Sequence, residues 1–382
     1  MWPHRRPHLF CANHMKRMKA KKITTEPSII GIDLFAGAGG FTLAAKAAGI
    51  KIKAAVEVNK HACNTYRKNF ITRKHNPPKL FEQDIVSLDI RALMADIGLA
   101  RGQCDILLGG PPCQGFSTHR INNAGIDDPR NGLLLKYFEF IEHIQPKFFV
   151  VENVPGLLWK RHEKYLKKFI SDARATGYTV FPPTVLNAKD FGVPQNRKRV
   201  FIVGVRNGLN LNVDWPPNPT HFSPGSRDER GRALRPWRAS KVAFDKPLSP
   251  DDVNAVHLNH SAMLIEVFAK TPLNGGSRSQ SGRVLPCHDD HDGHKDVYGR
   301  IDPLKPSPTM TTACINPSKG RFVHPTENHG ITARHAARLQ TFPESFIFEG
   351  GIIAAGVQIG NAVPVQLGSA VLEPLVSALK NQ

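Results

Sequence analysis

The residues that point most clearly to chemistry lie between Gly109 and Ser117, where the chain reads Gly-Gly-Pro-Pro-Cys-Gln-Gly-Phe-Ser. An apolar, strand-like stretch at residues 105–108 runs directly into this turn. Two prolines restrict the backbone ahead of Cys113 and hold it stiff, while the flanking glycines leave room for a flat molecule to approach. A thiol on a rigid turn at the end of a strand is placed as a nucleophile would be, although many free cysteines are simply buried.

A glycine-rich turn near the start of the chain predicts a binding site for a nucleoside. Residues 29–49 read as a short apolar strand, a turn containing Gly37, Gly39 and Gly40, and an alanine-rich helix. These glycines let backbone amides come close to a ligand at the helix N-terminus. Phe35 precedes the first glycine by two residues, where its aromatic face can stack on an adenine.

Two acidic residues complete the predicted nucleoside pocket. Glu57 ends a second strand-like stretch about twenty residues past the glycines, where a carboxylate accepts hydrogen bonds from ribose hydroxyls. Asp84 stands in a Phe-Glu-Gln-Asp-Ile stretch and is placed to accept from an adenine amino group. The Gly-x-Gly-x-x-Gly pattern of dinucleotide sites is missing, so the pocket has little need for phosphate contacts.

Charged residues also border two later apolar stretches that read as strands. Glu152 follows the apolar stretch at residues 148–151, and Arg197 and Arg199 precede the one at residues 200–203. Charges at strand ends are often only solvent-facing. At the edge of a parallel sheet they are also candidates for a ligand site, because ligands bind at the carboxyl ends of such strands.

Taken in order, these motifs resemble those of the DNA (cytosine-5)-methyltransferases from about Ile29 to the C-terminus. Six segments carry the resemblance, namely Asp33–Gly40, Pro111–Gln114, Glu152–Val154, Gln195–Arg199, Arg334–Pro343 and Gly360–Pro364. The one departure is His335, which stands where the family usually has a glutamate and puts a single helix-surface contact in doubt. The resemblance implies a doubly wound, mostly parallel α/β sheet of the Rossmann-like methyltransferase type, with a smaller, irregular target-recognition domain.

The resemblance also implies the reaction. S-adenosylmethionine would donate a methyl group to C5 of a cytosine that is flipped out of double-stranded DNA. Cys113 would add to C6, Glu152 would hold or protonate N3, and Arg199 together with Arg197 would donate to O2.

The residues expected to bind ligands form two sets. The cofactor set is Phe35, Gly37, Gly39, Gly40, Glu57, Val58, Asp84, Ile85, Pro112, Asn361 and Val363. The DNA set is Gln114, Ser117, Arg278, Arg283, Arg300 and Arg321, with Arg278 the first candidate for reading a base.

Composition changes along the chain predict five regions. A basic arm at 1–27 precedes a catalytic and cofactor-binding domain at 28–213, within which residues 117–131 form a candidate lid. An irregular segment rich in Pro, Gly and Arg at 214–332 is expected to recognise the target. A supporting hinge at 333–355 and a segment at 356–382 that returns to the catalytic domain complete the chain.

The overall charge fits a polyanionic partner. Lysine and arginine exceed aspartate and glutamate by 19, a balance typical of proteins that bind nucleic acid. The six cysteines show no paired spacing, which favours reduced thiols in a bacterial cytoplasm. No stretch has the length of a membrane span, and the crowded donors at 287–294 lack the spacing of a zinc site, so neither membrane nor metal is expected. A cognate restriction endonuclease is a further expected partner. The chain is expected to act as a monomer.

Two other functions remain open at this point. A minority branch of the same family acts on tRNA, although about a hundred variable residues before Arg334 favour sequence-specific DNA. A catalytically silent DNA-binding relative or a Rossmann oxidoreductase is the alternative from another class. The intact Cys113, Glu152 and Arg199 speak against silence, and the missing dinucleotide pattern speaks against a nicotinamide.

Overall fold

A computed structural model describes residues 28–112, 132–282 and 296–382 of the 382-residue chain. The basic arm, the candidate lid and the donor cluster at 287–294 lie outside the described residues. So do four predicted site residues, namely Cys113, Gln114, Ser117 and Arg283.

The described chain is organised around one eight-stranded sheet with the order β3-β2-β1-β4-β5-β8-β6, in which β7 also pairs with β8. The strands are β1 Ile29–Leu34, β2 Ile50–Val56, β3 Lys79–Phe81, β4 Ile106–Gly109, β5 Phe148–Asn153, β6 Tyr178–Val180, β7 Thr184–Asn187 and β8 Lys198–Arg206. The first five strands run parallel, whereas β8 is antiparallel to β5 and to its neighbours β6 and β7. The prediction of a doubly wound, mostly parallel sheet is confirmed.

Helices cover both faces of this sheet. Those in the described residues are α1 Gly40–Ala47, α2 Lys60–Tyr66, α3 Ile90–Asp96, α4 Gly132–Ile144, α5 Glu163–Ala175, α6 Ala262–Lys270, α7 Ala333–Leu339, α8 Gly351–Asn361 and α9 Val365–Lys380. Apolar side chains of α3, α4 and α5 bury one face, and those of α1 and α9 bury the other. Helices α1 and α9 approach closely at Gly368, where a Cβ would lie 2.7 Å from that of Ala44.

The strand order places the predicted motifs at one edge of the sheet. Strand order reverses between β1 and β4, and ligands of such sheets bind at the carboxyl ends of the strands at this switch point. The glycine turn follows β1, and the turn that leads to Cys113 follows β4. We call this edge the site edge.

Beyond β8 the chain becomes irregular, as its proline and glycine content predicts. Residues 207–219, which we call the strap, pack Leu211, Val213 and Trp215 against the apolar cluster that also holds α9. Residues 214–332 are called the recognition segment, after their expected role. A third apolar cluster joins later parts of this segment to α7, α8 and the π-helical turn Arg67–Ile71. Its centre is aromatic, with the rings of Phe342, Phe346 and Phe348 in mutual contact.

The C-terminal region Gly351–Lys380 has the length and apolar composition of a membrane span, the only such region in the part of the chain described. It consists of two helices separated by a break at residues 362–364. Side chains of α8 and α9 contribute to the buried clusters beside the sheet. We therefore interpret both helices as core elements.

Candidate active site

Glu152 and Arg199 form an ion pair at the site edge. Glu152 lies directly opposite Phe201 in the antiparallel ladder between β5 and β8, so Arg199, two residues earlier on β8, lies on the same face. Arg199 Nε is 2.8 Å from Glu152 Oε1, and the two side chains are only 13% and 9% exposed. Both predicted residues are therefore brought together at the end of β5.

The ion pair leaves hydrogen-bonding capacity on the carboxylate. Although Arg199 Nε is close, Glu152 Oε1 is buried and accepts no well-directed hydrogen bond from any described residue. The Arg199 Nη1 atom donates instead to the carbonyl of Lys198 at 2.8 Å. A buried carboxylate oxygen that lacks a well-directed hydrogen bond lowers the stability of the folded protein unless a ligand supplies a donor.

The turn that leads to Cys113 lies beside this pair. A Cβ on Gly110 would be 3.4 Å from Glu152 Oε2, so the glycine keeps the approach to the carboxylate open. The next residue of β5, Asn153, donates from Nδ2 to the carbonyl of Pro111 at 3.2 Å. Asn153 was not among the predicted residues, yet the Glu-Asn-Val motif that contains it was a usable signal.

Arg197 is placed differently from Arg199, and its predicted contact with the base is wrong. Its side chain is fully buried and donates to the backbone carbonyls of Met310, Gly360 and Ala362 at 2.7, 2.7 and 3.1 Å. A guanidinium occupied by three carbonyls of other segments holds the fold together. Arg197 precedes the first residue of β8, so the alternation of the strand does not govern where it points.

Glu57 fixes the glycine turn through hydrogen bonds with backbone amides. The Glu57 carboxylate accepts from the amide of Gly37 at 2.8 Å and from those of Val58 and Asn59 at 3.0 and 2.7 Å. Phe35 has a φ of 56°, a left-handed conformation that is rare for an aromatic residue, and Gly37 and Gly39 also have positive φ. A Cβ on Gly37 would meet nothing within 4 Å, so this part of the turn faces open space.

The remaining residues of the predicted cofactor set differ in exposure. Val58 directly follows Glu57, two residues beyond the end of β2, and is 66% exposed. Asp84 is exposed and caps its own turn by accepting from the amide of Val86, while Ile85 is buried behind it. Pro112 is exposed at the end of the turn after β4.

The chain returns to the glycine turn after α8. A Cβ on Gly40 would lie 2.6 Å from the carbonyl oxygen of Val363, so only glycine allows this contact at the start of α1. Val363 is buried there, and Asn361 is exposed at the end of α8. The glycine turn and the C-terminal motif, more than three hundred residues apart in the sequence, therefore lie side by side.

A buried acid supports the turn from below, and sequence reasoning missed it. Asp33, on β1, accepts a 2.7 Å hydrogen bond from the hydroxyl of Thr42, which also contacts the hydroxyl of Tyr66 at 3.0 Å. Burial raises the pKa of the Asp33 carboxyl to about 7. The position of this aspartate two residues before Phe35 was the available signal.

The family model of the C-5 cytosine-specific DNA methylases matches residues 29–377. The chain belongs to this family. It is 33% identical over 357 residues to the Type II methyltransferase M1.HphI of Haemophilus parahaemolyticus, covering 93% of this chain and 88% of that protein. It is 32% identical over 380 residues to the Type II methyltransferase M.XorII of Xanthomonas oryzae, with coverage of 92% and 86%.

A solved structure agrees with this assignment. An E. coli prophage protein named as a DNA modification methyltransferase is 25% identical, with a TM-score of 0.70 over 92% of this chain and all of that one. The chain is thus a DNA cytosine-5 methyltransferase, which removes the alternative of a nicotinamide oxidoreductase.

The recognition segment of this methylase uses two of its predicted DNA-binding arginines for a different purpose. Arg300 is completely buried, and its guanidinium donates to four backbone carbonyls and to Asn328 Oδ1. Arg321 donates to Asp296 and to three backbone carbonyls. Direct DNA contact by either residue is therefore contradicted, because both guanidinium groups already bind their own chain.

Arg278, the first candidate for reading a base, is also poorly placed for this role. It begins a short 3₁₀ helix, Arg278–Ser281, whose cap is formed by Ser277 and Gln280. The residue is only 8% exposed. This burial contradicts the prediction that its guanidinium is presented to a DNA groove.

His335 belongs to a cluster of histidines in the methylase. Its ring lies 5.1 Å from that of His324 and 4.9 Å from that of Phe244. The His329 ring lies 5.3 Å from that of His324 and stacks on the ring of His257 at 4.0 Å. The sequence put one helix-surface contact of His335 in doubt. In the structure His335 instead forms a buried capping box at the start of α7, in which the side chains of Thr332 and His335 each accept a hydrogen bond from the backbone amide of the other residue. Burial lowers the pKa of His324 to about 4 and that of His335 to about 3.

Separate replacements of Arg197 and Arg199 should affect different properties, with Arg197 needed for stability and Arg199 for catalysis. Arg197→Ala leaves three carbonyls unpaired in the core and should lower the free energy of unfolding by about 3–5 kcal/mol. Arg199→Lys keeps a cation beside the buried Glu152 carboxylate and should leave stability nearly unchanged. It should lower the methyl-transfer rate by about 10², since the guanidinium donor to the substrate is lost. Urea denaturation and tritiated-methyl transfer to DNA measure the two effects, with exposed Lys198→Ala as the control. Equal stability losses for both arginines would contradict the division.

The histidine cluster predicts a loss of stability in mild acid. His324 and His335 are neutral in the folded protein, while in the unfolded chain they protonate near pH 6.5. Because their folded pKa values are lowered, their contribution to stability is present above pH 6.5 and is lost as the pH falls towards 4. Between pH 7.5 and 5 we expect a loss of about 2–4 kcal/mol in urea denaturation. His335→Gln, which preserves the cap, should reduce this loss by about half, and an unchanged loss would contradict the assignment.

Proposed function

We propose that this methylase transfers a methyl group from S-adenosylmethionine to C5 of cytosine within a specific double-stranded DNA sequence. The reaction would proceed by addition of the Cys113 thiolate to C6 of a flipped-out base. The observation that carries the proposal is the buried Glu152–Arg199 pair beside the turn that leads to Cys113. An acid and a guanidinium on one face can bind the two polar edges of a cytosine at once.

The chemistry of cytosine explains these residue types. C5 is a poor nucleophile until the thiolate adds to C6, which moves an electron pair of the ring towards C5. Glu152 would hold or protonate N3, and Arg199 would donate to O2, so that both offset the charge that develops on the ring. After C5 has been methylated, loss of its proton to water and expulsion of the thiolate restore the aromatic base.

The glycine turn fits the adenosyl part of S-adenosylmethionine, which supplies the electrophilic methyl group. Glu57 would accept from the ribose hydroxyls, and the left-handed Phe35 would place its ring against the adenine. Exposed Val58 and buried Ile85 would cover the other face, with Asp84 at the amino group. Pro112, Asn361 and Val363 would close the pocket towards the cysteine.

The substrate must leave the helix for this reaction. C6 of a paired cytosine is buried in the stack, beyond the reach of a thiol that approaches from above the ring. We infer base flipping, with residues 214–332 reading the surrounding sequence and residues 28–213 providing the chemistry. The Type II relatives support a modification enzyme that acts alongside a restriction endonuclease for the same site. We further propose that the enzyme is cytoplasmic and acts as a monomer.

Cys113→Ala tests the covalent mechanism. Without the thiolate the activated ring cannot form, so methyl transfer should disappear while DNA binding remains. Bisulfite sequencing of DNA from cells that express each form measures the transfer. It also identifies the recognition sequence of the parent enzyme.

A duplex carrying 5-fluorocytosine at that site supplies the matched measurement. The parent enzyme should remain covalently bound to it, because fluorine cannot leave C5 as a proton does. Cys104→Ala, which changes a buried cysteine before β4, at the end of this strand away from the site, serves as the control and should still be trapped. Trapping or methylation by Cys113→Ala would refute the nucleophile assignment.

Glu57→Gln tests the cofactor pocket. Loss of a charged acceptor for two hydroxyls and for the turn amides should weaken S-adenosylmethionine binding by about 1–3 kcal/mol. Calorimetric titration with the cofactor measures this change, and DNA affinity without cofactor should stay as in the parent. Exposed Glu142→Gln on α4 is the control. An equal weakening of DNA binding would show that Glu57 merely supports the fold.

A further inference from the structure

A compact hairpin rich in arginine follows the strap. We call residues 222–238 the arginine hairpin. Its arms are joined by backbone hydrogen bonds from Phe222 to Arg235 and from Trp237 to Phe222, at 2.8 and 2.7 Å. At its tip the Asp228 carboxylate accepts from the amides of Arg230 and Arg232, which fixes the turn. The hairpin therefore has a defined shape of its own.

The charge of this hairpin is strongly positive and carried by one residue type. It contains five arginines, no lysine and two acids. The guanidinium of Arg232 is paired with Asp228 at 2.7 Å. Arg230 and Arg235 are exposed, and within the described ranges their guanidinium groups make no hydrogen bond or ion pair. An ordinary solvated surface more often mixes lysine with glutamate, whereas guanidinium groups match phosphate oxygens in pairs.

Two contacts fasten the hairpin to the sheet domain. Trp237 donates from Nε1 to Asp190 Oδ1 at 2.8 Å, and Lys189 Nζ lies 3.4 Å from the centre of the same indole. The backbone carbonyl of Asp190 also accepts from Thr220 and His221 at the base of the hairpin. The hairpin is thus held on the short 3₁₀ helix Ala188–Phe191 rather than only by its own chain ends.

This attachment point lies at the site edge. Strand β7 pairs antiparallel with β8, with Leu186 opposite Arg199, so β7 ends where β8 begins. The 3₁₀ helix Ala188–Phe191 follows β7 directly. The base of the hairpin is therefore next to the edge that carries the Glu152–Arg199 pair.

From this placement we propose that the arginine hairpin binds the phosphate backbone of the DNA duplex beside the target cytosine, through Arg230 and Arg235. This inference rests on the proposed function, which supplies the duplex. It assigns DNA contact to residues outside the set expected from the sequence, whose arginines at 300 and 321 bind their own chain. Phosphate contacts position a duplex without reading its sequence, so the hairpin would orient any DNA over the site.

The salt dependence of DNA binding by the full chain tests this assignment. The probe is a 30-base-pair duplex of random sequence, titrated by fluorescence anisotropy at several salt concentrations. Each phosphate contact contributes about 0.9 to the slope of log affinity against log salt. The double variant Arg230→Gln/Arg235→Gln should lower that slope by about 2 and weaken binding about tenfold or more near physiological salt.

A second double variant controls for the change in net charge. Lys46→Gln/Arg174→Gln removes two exposed charges at the ends of α1 and α5, away from the site edge, and should keep the parent slope and the parent methyl-transfer rate. A slope that stays at the parent value in the hairpin variant overturns the inference. A hairpin variant with the parent slope and a changed methylation sequence overturns it too, because the hairpin would then read bases.

The same titration separates this inference from the proposed function. A parent enzyme that binds the duplex with a hairpin-dependent slope, yet transfers no methyl group, would support the hairpin and refute the proposed reaction. Normal methylation with an unchanged slope in the hairpin variant would refute the hairpin alone. A folded parent that does not bind the duplex would refute both.

Discussion

The site depends on a buried junction around Arg197. Its guanidinium joins the segment before β8 to carbonyls on either side of the α8 terminus and to Met310 in the recognition segment. Gln195 adds hydrogen bonds to the carbonyl of Leu339 and to the amide of Met310, and Gln340 bonds the carbonyl of Ile359. Removing any one of these side chains would leave buried carbonyls or amides without a partner, which is costly in a dry core.

This junction positions both halves of the proposed site. On one side it fixes the start of β8, and with it Arg199 beside Glu152. On the other side it fixes the break after α8, and with it Val363 against the start of α1 at Gly40. The contact between Gly40 and Val363 and the Glu152–Arg199 pair therefore share a single support, although their residues are far apart in the sequence.

The sequence predicted the sheet well, since the sheet depends on local pattern. Alternating strands and helices, a glycine turn and charges at strand ends are readable over a few residues. The roles of Arg197, Arg300 and Arg321 were not readable, because their partners are backbone carbonyls of distant segments. A buried arginine that binds carbonyls cannot be distinguished from an exposed arginine that binds phosphate by its residue type or by the residues next to it in the sequence. Only the fold distinguishes them, as it does for the exposed arginines of the hairpin.

The length of the strap constrains how the recognition segment is attached to the sheet. Strand β8 ends at the edge opposite the site, so the chain must cross the sheet again before Thr220 reaches Asp190. A nine-residue strand spans roughly 30 Å, and about 13 residues of extended chain reach at most about 47 Å. At full extension the strap exceeds this crossing by roughly 17 Å, so deleting more than about five of its residues would put the hairpin base under tension.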